Sequence, residues 1–387
     1  MPACASSPIL TVVDQRQAPL DEREPVPVDL LAAVSAVTDP RARRGVRHGL
    51  VTILAVAVCA VLAGARSYVA IAEWAHDLTP VMRLRLGVRR SAPSESTIRR
   101  TLQAVDADAL DAVISRWLAA HTPPPSSSGP RMIAVDGKTA RGARGPDGRP
   151  AHLLAAFDQA SGVVLGQATV DGKTNEITAF GPLLDRIDIT GALITADALH
   201  TQHRHADYLT GRGAHYLLTV KGNQPSLHRQ LRTLPWAAIP AADVTRDKSH
   251  GRVESRTVKL TAVPAGIGFP HARLAAQITR RRRPRTSRGW RTETVYAITD
   301  LTHDQIRADQ IADAVRGHWS IDNRLHWIRD VVFAEDHSQI RTGNGPAVMA
   351  TLRNLAVSRH RLTGAPNIAA ACRHVSRHPN RVLPLLT

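Results

Sequence analysis

Asp136 ends the apolar run RMIAVD (131–136), and Asp197 ends GALITAD (191–197). A carboxylate at the end of a strand often does no more than cap the turn that follows, and for either residue alone that is the simpler reading. Two neighbouring strand ends, however, bring both carboxylates to one edge of a sheet. Magnesium requires such oxygen ligands while keeping waters and substrate phosphate oxygens. Both aspartates also lead into distinctive polar segments, DGKTARGAR (136–144) and DALHTQHRH (197–205). A third acid stands in the helical stretch 303–332, where His318, Asp322, His326 and Arg329 fall at i, i+4, i+8 and i+11 and so share one face. The plainer account of that face is a solvated charged surface. Trp319 and Trp327 lie off the stripe, and core packing is their simplest role.

The elements that must position these groups change character along the 387 residues. Residues 1–24 mix Pro, Asp and Arg without period and read as a mobile arm. From 25 to 121 the pattern is helical: LVTILAVAVCAVLAG (50–64), SYVAIAEWAHD (67–77), SESTIRRTLQ (94–103) and DADALDAVISRWLAAH (106–121). Ser94 or Ser96, and Asp106 or Asp108, are the N-cap candidates. The run 50–64 spans 15 residues, below the roughly 20 a bilayer needs, so a buried helix and a soluble, cytoplasmic protein are expected. TPPPSSSGP (122–130) is a linker by composition. Beyond it, RMIAVD, AHLLAAF (151–157), GVVLGQATV (162–170), GALITAD and HYLLTV (215–220) read as strands. The first three follow closely enough for an antiparallel meander, and helical segments at 176–187 and 200–212 precede the last two or lie between them. Three more alternating runs, TVKLTAV, ARLAAQITR and ETVYAITD, make 236–300 β-rich, interrupted by the basic run RRRRPRTSRGWR (280–291). Helices resume at 303–332 and 346–362, and 363–387 is left as a tail. The pattern supports α+β with a mixed sheet.

Composition narrows the partners. Fifty Lys+Arg against 33 Asp+Glu give +17, which points to a polyanion. Only five of those cations are lysines (138, 173, 221, 248 and 259); guanidinium forks suit phosphate, although a GC-rich genome also favours arginine codons. Three scattered cysteines exclude a disulfide scaffold and a Cys-based zinc site, and 43% hydrophobic residues exclude a disordered chain. Gly172-Lys173-Thr174 echoes a phosphate-binding loop, but its leading glycine at 166 comes one residue too early.

The segments IAVDGKTARGAR (133–144), LITADALHTQ (193–202), YLLTVKGNQP (216–225), HGRVESRTV (250–258) and RGHWSIDNRLHWIRDVVFAEDHSQIRTGNGPAVMATLRNLA (316–356) resemble the H-repeat-associated transposases. These are insertion-sequence enzymes of the acidic-triad (DDE) class. APSESTIRRTL (92–102) is similar to that family's associated domain, and the resemblance runs from about residue 30 to 360. It implies a ribonuclease H-like mixed sheet with a β-rich insertion, preceded by a helical N-terminal domain. The implied reaction is Mg²⁺-dependent cleavage and strand transfer of DNA, with Mn²⁺ able to substitute, by a homodimer or higher multimer on paired element ends. The first acid would be Asp136 and the second Asp197. Where the family has Ile-Glu-Asn this chain has Ile321-Asp322-Asn323, so the third acid is one methylene short. Against the related Tyr–Arg–Glu–Lys signature, Val315 replaces the Tyr, His318 the Arg and Arg329 the Lys. Glu335, the only glutamate after 293, is the alternative acid, with Asp330 and Asp336 beside it.

On this reading Lys138, Arg141, Lys221, His318 and Arg329 face phosphates at the catalytic centre. Arg281, Arg282 and Trp290 contact DNA from the insertion, unless that run is only a solvated hairpin tip. Arg99 and Arg100 belong either to a recognition helix or to another core helix. His200, His203 and His205 lack the spacing of a zinc site, which leaves DNA contact or helix surface. Two rival outcomes are a nuclease of the same fold that cleaves without joining, and a DNA-binding relative decayed through Asp322.

Overall fold

A helix that is apolar on every side must be covered on every side, and that requirement organises the N-terminal layer. In the computed structural model, residues 29–387 are described except 45, 125–128, 145–147, 171–174, 250 and 285–288; the arm at 1–24 and Lys173 lie outside them. Six helices come first: α1 (Leu30–Val34), α2 (Leu50–Leu62), α3 (Tyr68–His76), α4 (Pro80–Arg85), α5 (Glu95–Ala104) and α6 (Ala107–Ala120). Eleven of the 13 residues of α2 are buried, and among the described residues no helix is long and apolar enough to cross a membrane. Asp106 caps α6, accepting from the Asp108 and Ala109 N–H groups at 3.0 Å each. Ser94 precedes α5, but its hydroxyl bonds to those of Ser96 and Thr97 instead of the helix backbone.

The sheet follows: β1 (Met132–Arg144), β2 (Pro150–Asp158), β3 (Val164–Val170), α7 (Glu176–Leu184), β4 (Leu193–Ala196), α8 (His203–Gly211), β5 (His215–Val220) and α9 (Pro225–Arg232). Then come β6 (Asp243–Ser249), β7 (Arg252–Ala262), β8 (Leu274–Pro284) and β9 (Arg291–Thr299). All nine strands form one sheet in the order β3-β2-β1-β4-β5-β9-β8-β7-β6. β1 to β3 are an antiparallel meander, β4 and β5 run parallel to β1, and β9 joins β5 antiparallel. The first five strands therefore have the ribonuclease H-like arrangement, and the insertion prolongs the same sheet. Alternate residues of β4 and β5 serve two cores. Ile194 and Leu218 join the large core shared with the N-terminal helices. Leu193 and Leu217 pack with Ile311 and Ala314 on the other face.

Those last two residues belong to α10 (Ala308–His318). The predicted continuous helix over 303–332 is instead α10, a π-helical turn at Asp322–His326, and α11 (Trp327–Val331). α12 (Gly345–Leu362) then returns against α2, α5 and α6. The expected tail is ordered. Residues 363–387 form α13 (Ile368–Ser376) and a 3₁₀ turn at Pro379–Leu385, beyond which the Leu386 carbonyl accepts from the Leu30 N–H at 2.8 Å. Val382 and Leu386 are buried there because the apolar residues of α1 and α2 need a cover. Leu386→Ala is accordingly expected to cost about 2–5 kcal/mol in urea unfolding; an unchanged midpoint would show that the clasp carries no stability.

Candidate active site

Parallel pairing of β1 with β4 sets Val135 opposite Ala196, so the next residues, Asp136 and Asp197, emerge side by side. Asp136 does not end its strand, as the sequence reading had it: β1 continues to Arg144, paired with β2 alone once β4 has stopped. The polar character of DGKTARGAR hid that extension. Asp197 also caps the 3₁₀ turn Ala198–His200, accepting from the Leu199 N–H at 2.9 Å. Asp322 arrives from the π turn. His326 Nδ1 lies 3.5 Å from Asp136 Oδ2 and 3.5 Å from Asp322 Oδ1. One ligand atom from each of these three residues falls within 4.8 Å of the others, a spacing that suits a metal ion. Burial, then repulsion by Asp322, Asp197 and Glu176, pushes the Asp136 carboxyl up to about 7. Asp322 is held below its ordinary range, chiefly by His326. His326 itself is buried, and its Nε2 has no hydrogen-bond partner among the described residues.

Behind Asp136 sits a carboxylate that sequence reasoning missed. Glu176, at the start of α7, accepts from His152 Nε2 at 2.6 Å and from His200 Nε2 at 3.2 Å. Burial pulls its pKa up, but the two imidazoles outweigh burial and take it down to about 2. A Cβ on Gly137 would lie 2.4 Å from Glu176 Oε1, so only glycine lets this carboxylate rest on the backbone beside the first aspartate. The available signal was composition, since Glu176 is one of eight glutamates. His200 and His205 are buried against Phe180, which corrects the reading of them as DNA contacts or helix surface. His203 packs edge-on against Phe269.

The expected phosphate contacts divide sharply. Arg329 is 0% exposed: it donates to Glu335 at 2.9 and 3.0 Å and cannot meet phosphate at a surface. The wider π turn carries the register inward, so a helix face computed at 3.6 residues per turn placed this side chain wrongly. The same ion cluster removes Glu335 as an alternative acid, because it is 1% exposed and is also held by Arg353 at 2.8 Å. Lys138 is 8% exposed and paired with Asp330 at 2.7 Å and Asp336 at 3.7 Å, which braces β1 and leaves no free ammonium. Arg141 points outward beside Asp336. Lys221 is exposed and shares with Asp197 and His318 a cleft of about 60 Å³. His318 Nδ1 is 3.2 Å from the Thr195 hydroxyl, and burial takes the imidazole down to about 4, so it is neutral at pH 7.

Farther out, Arg281 and Arg283 both sit 5.1 Å from the centre of the Trp290 ring, while Arg282 pairs in register with Arg291. Arg280 stacks on Trp319 at 5.4 Å, joining the insertion to the end of α10. In the helical layer Arg99 is paired with Glu95 at 3.0 Å, and Arg100 lines a cleft of about 760 Å³ with Arg41, Arg44 and Arg47. Trp327, expected in the core, is 56% exposed.

Residues 31–118 match the family model described as DDE_Tnp_1-associated, and residues 127–358 match the model described as Transposase DDE domain. The chain belongs to the DDE transposases. It is 31% identical over 345 residues to "Putative transposase YncI" of Escherichia coli O157:H7, spanning 85% of this chain and 86% of that protein. It is 30% identical over 346 residues to "H repeat-associated putative transposase YhhI" of Escherichia coli (strain K12), spanning 85% and 89%. The solved structure "Cryo-EM structure of piggyBac transposase synaptic complex with hairpin DNA (SNHP)" is similar over 92% of this chain and 76% of that one, with a TM-score of 0.41 and 10% identity.

The ion cluster holding the last helices of this transposase makes a stability prediction. Burial raises a carboxyl, yet the flanking Arg329 and Arg353 hold Glu335 down to about 2. Its contribution is full above the unfolded value of about 4.3 and is lost as pH falls toward 2. Glu335→Gln leaves two buried guanidiniums unbalanced and is expected to cost about 3–5 kcal/mol at pH 7. Urea titrations at pH 7 and pH 3 check both the size and the shrinking of that difference.

Proposed function

We propose that this transposase cleaves and joins DNA at the ends of its own insertion element, using divalent metal held by Asp136, Asp197 and Asp322. The observation that carries the reading is the crowding of Asp136, Asp322 and His326 around one point, with Asp197 next door just past the end of β4. A half-buried carboxyl raised to about 7, first by burial and then by its acidic neighbours, marks a candidate functional site. Hard carboxylate oxygens fit Mg²⁺ and Mn²⁺, and the His326 nitrogen adds a donor that Mn²⁺ accepts more readily than Mg²⁺. Bound ions would supply activation of a water or 3′-hydroxyl and neutralise the leaving oxygen in an in-line displacement.

The chain's own groups account for the rest. Leu199 N–H fixes the Asp197 carboxylate, Glu176 rests against the backbone after Asp136, and Lys138 ties β1 to α11 through Asp330 and to the turn after it through Asp336. Lys221 is the cation placed to hold a phosphate beside Asp197, with neutral His318 available as a hydrogen-bond partner. Asp322 is the third acid on this reading, and the enzyme works on paired ends as a homodimer or higher multimer.

End-labelled element DNA with Mg²⁺ or Mn²⁺ tests the assignment. Asp136→Ala and Asp197→Ala abolish cleavage, and Asp322→Glu preserves or raises it; full activity in Asp322→Ala removes Asp322 from the triad. Joined products distinguish a transposase from a nuclease, and sizing with paired ends reads the multimer. Metal uptake also depends on pH. Asp136 carries a proton below about 7 and must lose it to bind a cation, so Mn²⁺ affinity rises from pH 6 to pH 8 with proton release. Calorimetry in buffers of different ionisation enthalpy reads that release directly.

A further inference from the structure

The back of the catalytic turn carries a second feature, independent of the acids. Trp327 is 56% exposed and Val331, one turn on, is 52% exposed, so α11 turns an apolar strip away from the core. They line a cleft of about 690 Å³ between α11 and the loop entering α13. Arg66, Arg324, Arg361 and Arg373 also line it, no carboxylate does, and none of the four is in an ion pair among the described residues. Arg324 and Arg361 are crowded together. Each guanidinium carbon lies 5.7 Å from the centre of the Phe157 ring, and Arg361 donates to the Arg324 backbone carbonyl and, at 2.8 Å, to that of Gly162. Arg324 feels the Asp158 carboxylate, but that group is already paired with Arg131 at 2.6 Å. Burial first, and Arg324 second, pull Arg361 down to about 9, the sign of a cation lacking a counter-ion.

We infer that this cleft is a subsite for one unpaired nucleotide of a nucleic-acid strand, its base on Trp327 and its phosphates among Arg66, Arg324, Arg361 and Arg373. A free indole face beside unbalanced guanidiniums matches a ligand that is flat and aromatic at one end and anionic at the other. The volume exceeds what a lone phosphate fills and suits a nucleotide. A paired base offers no face to stack on, so the strand must be single or locally opened. The cleft's place in the chain argues for a strand over a free nucleotide: Asn323 and Arg324 follow Asp322 directly, and Trp327 follows His326. A strand passing the acids needs only to round the same turn to enter it.

The test uses the full chain carrying Asp136→Ala, in chelator, so that it answers even for a protein that never cleaves. The probe is a single-stranded oligonucleotide with one 2-aminopurine, followed by quenching and by anisotropy. The expected results are quenching on binding, loss of quenching and on the order of tenfold weaker binding in Trp327→Ala, and recovery in Trp327→Phe. Arg373→Ala, at an exposed position, flattens the salt dependence by about one unit of slope. Binding of a matched duplex is unmoved by Trp327→Ala. Unchanged quenching and affinity in Trp327→Ala overturn the inference. So does a duplex that responds like the single strand, and so does a deoxynucleoside monophosphate that competes as well as the oligonucleotide.

Discussion

Backbone hydrogen bonds between β1 and β4 force together two carboxylates that repel each other. Asp136 and Asp197 each follow the last paired residues, Val135 and Ala196, of parallel neighbours, and nothing in their side chains favours the arrangement. The ladder and the apolar residues beneath it, Ile133, Val135, Ile194 and Ala196, supply the free energy that holds the charges in place. Everything nearby responds to that enforced proximity. Asp136 keeps its proton to near neutral pH, Asp322 leans on His326, and Glu176 is quieted by two imidazoles instead of joining the repulsion. On the proposed reading, this crowding of carboxylates is what a divalent cation would relieve.

Asp322 comes from a helical turn that, among the described residues, no backbone ladder ties to the sheet, so its position is fixed by side chains. The cluster of Arg329, Glu335 and Arg353 does this from behind, tying α11, the turn after it and α12 into one buried network that also takes in Gln167 of β3 and Asn354. A buried ion cluster is a poor source of net stability but a good source of specificity, because any shift of α11 breaks several charge-assisted bonds together. In the same region, the Lys138 pairs with Asp330 and Asp336 join the strand bearing Asp136 to α11 and to the turn after it.

Much of this was legible in the residues, and the failures have physical reasons. Short apolar, β-branched runs bounded by Gly and Asp marked eight of the nine strands, although β1 and β7 extend well beyond the runs that marked them, and the alternation of helix and strand after 170 indicated a mixed sheet. β6 was missed because DVTRDKS is an edge strand whose partners lie on one side only, leaving no apolar face to read. Asp136 was placed at a strand end because a polar continuation does not look like a strand. Arg329 was misjudged for two linked reasons: a π turn has no sequence signature, and burial makes a charged residue into a structural one; the same burial removes Glu335, which stood only as the alternative to Asp322. Trp327 was assigned to the core by analogy with aromatics in general, and only the packed helix shows that its side chain faces out.

The pairing of β9 with β5 bears on how such proteins can be altered. Leu217 to Val220 bond across to Tyr296 to Thr299, so the insertion is a continuation of the sheet and supplies half of what β5 needs. Removing it as a module would leave β5 an open edge with a row of unsatisfied donors and acceptors and would strip Val258, Ile278 and Ala297 from the core under α10. A shorter relative built on this plan must therefore replace the strand, not merely close the gap. The root of the insertion is part of the sheet's foundation.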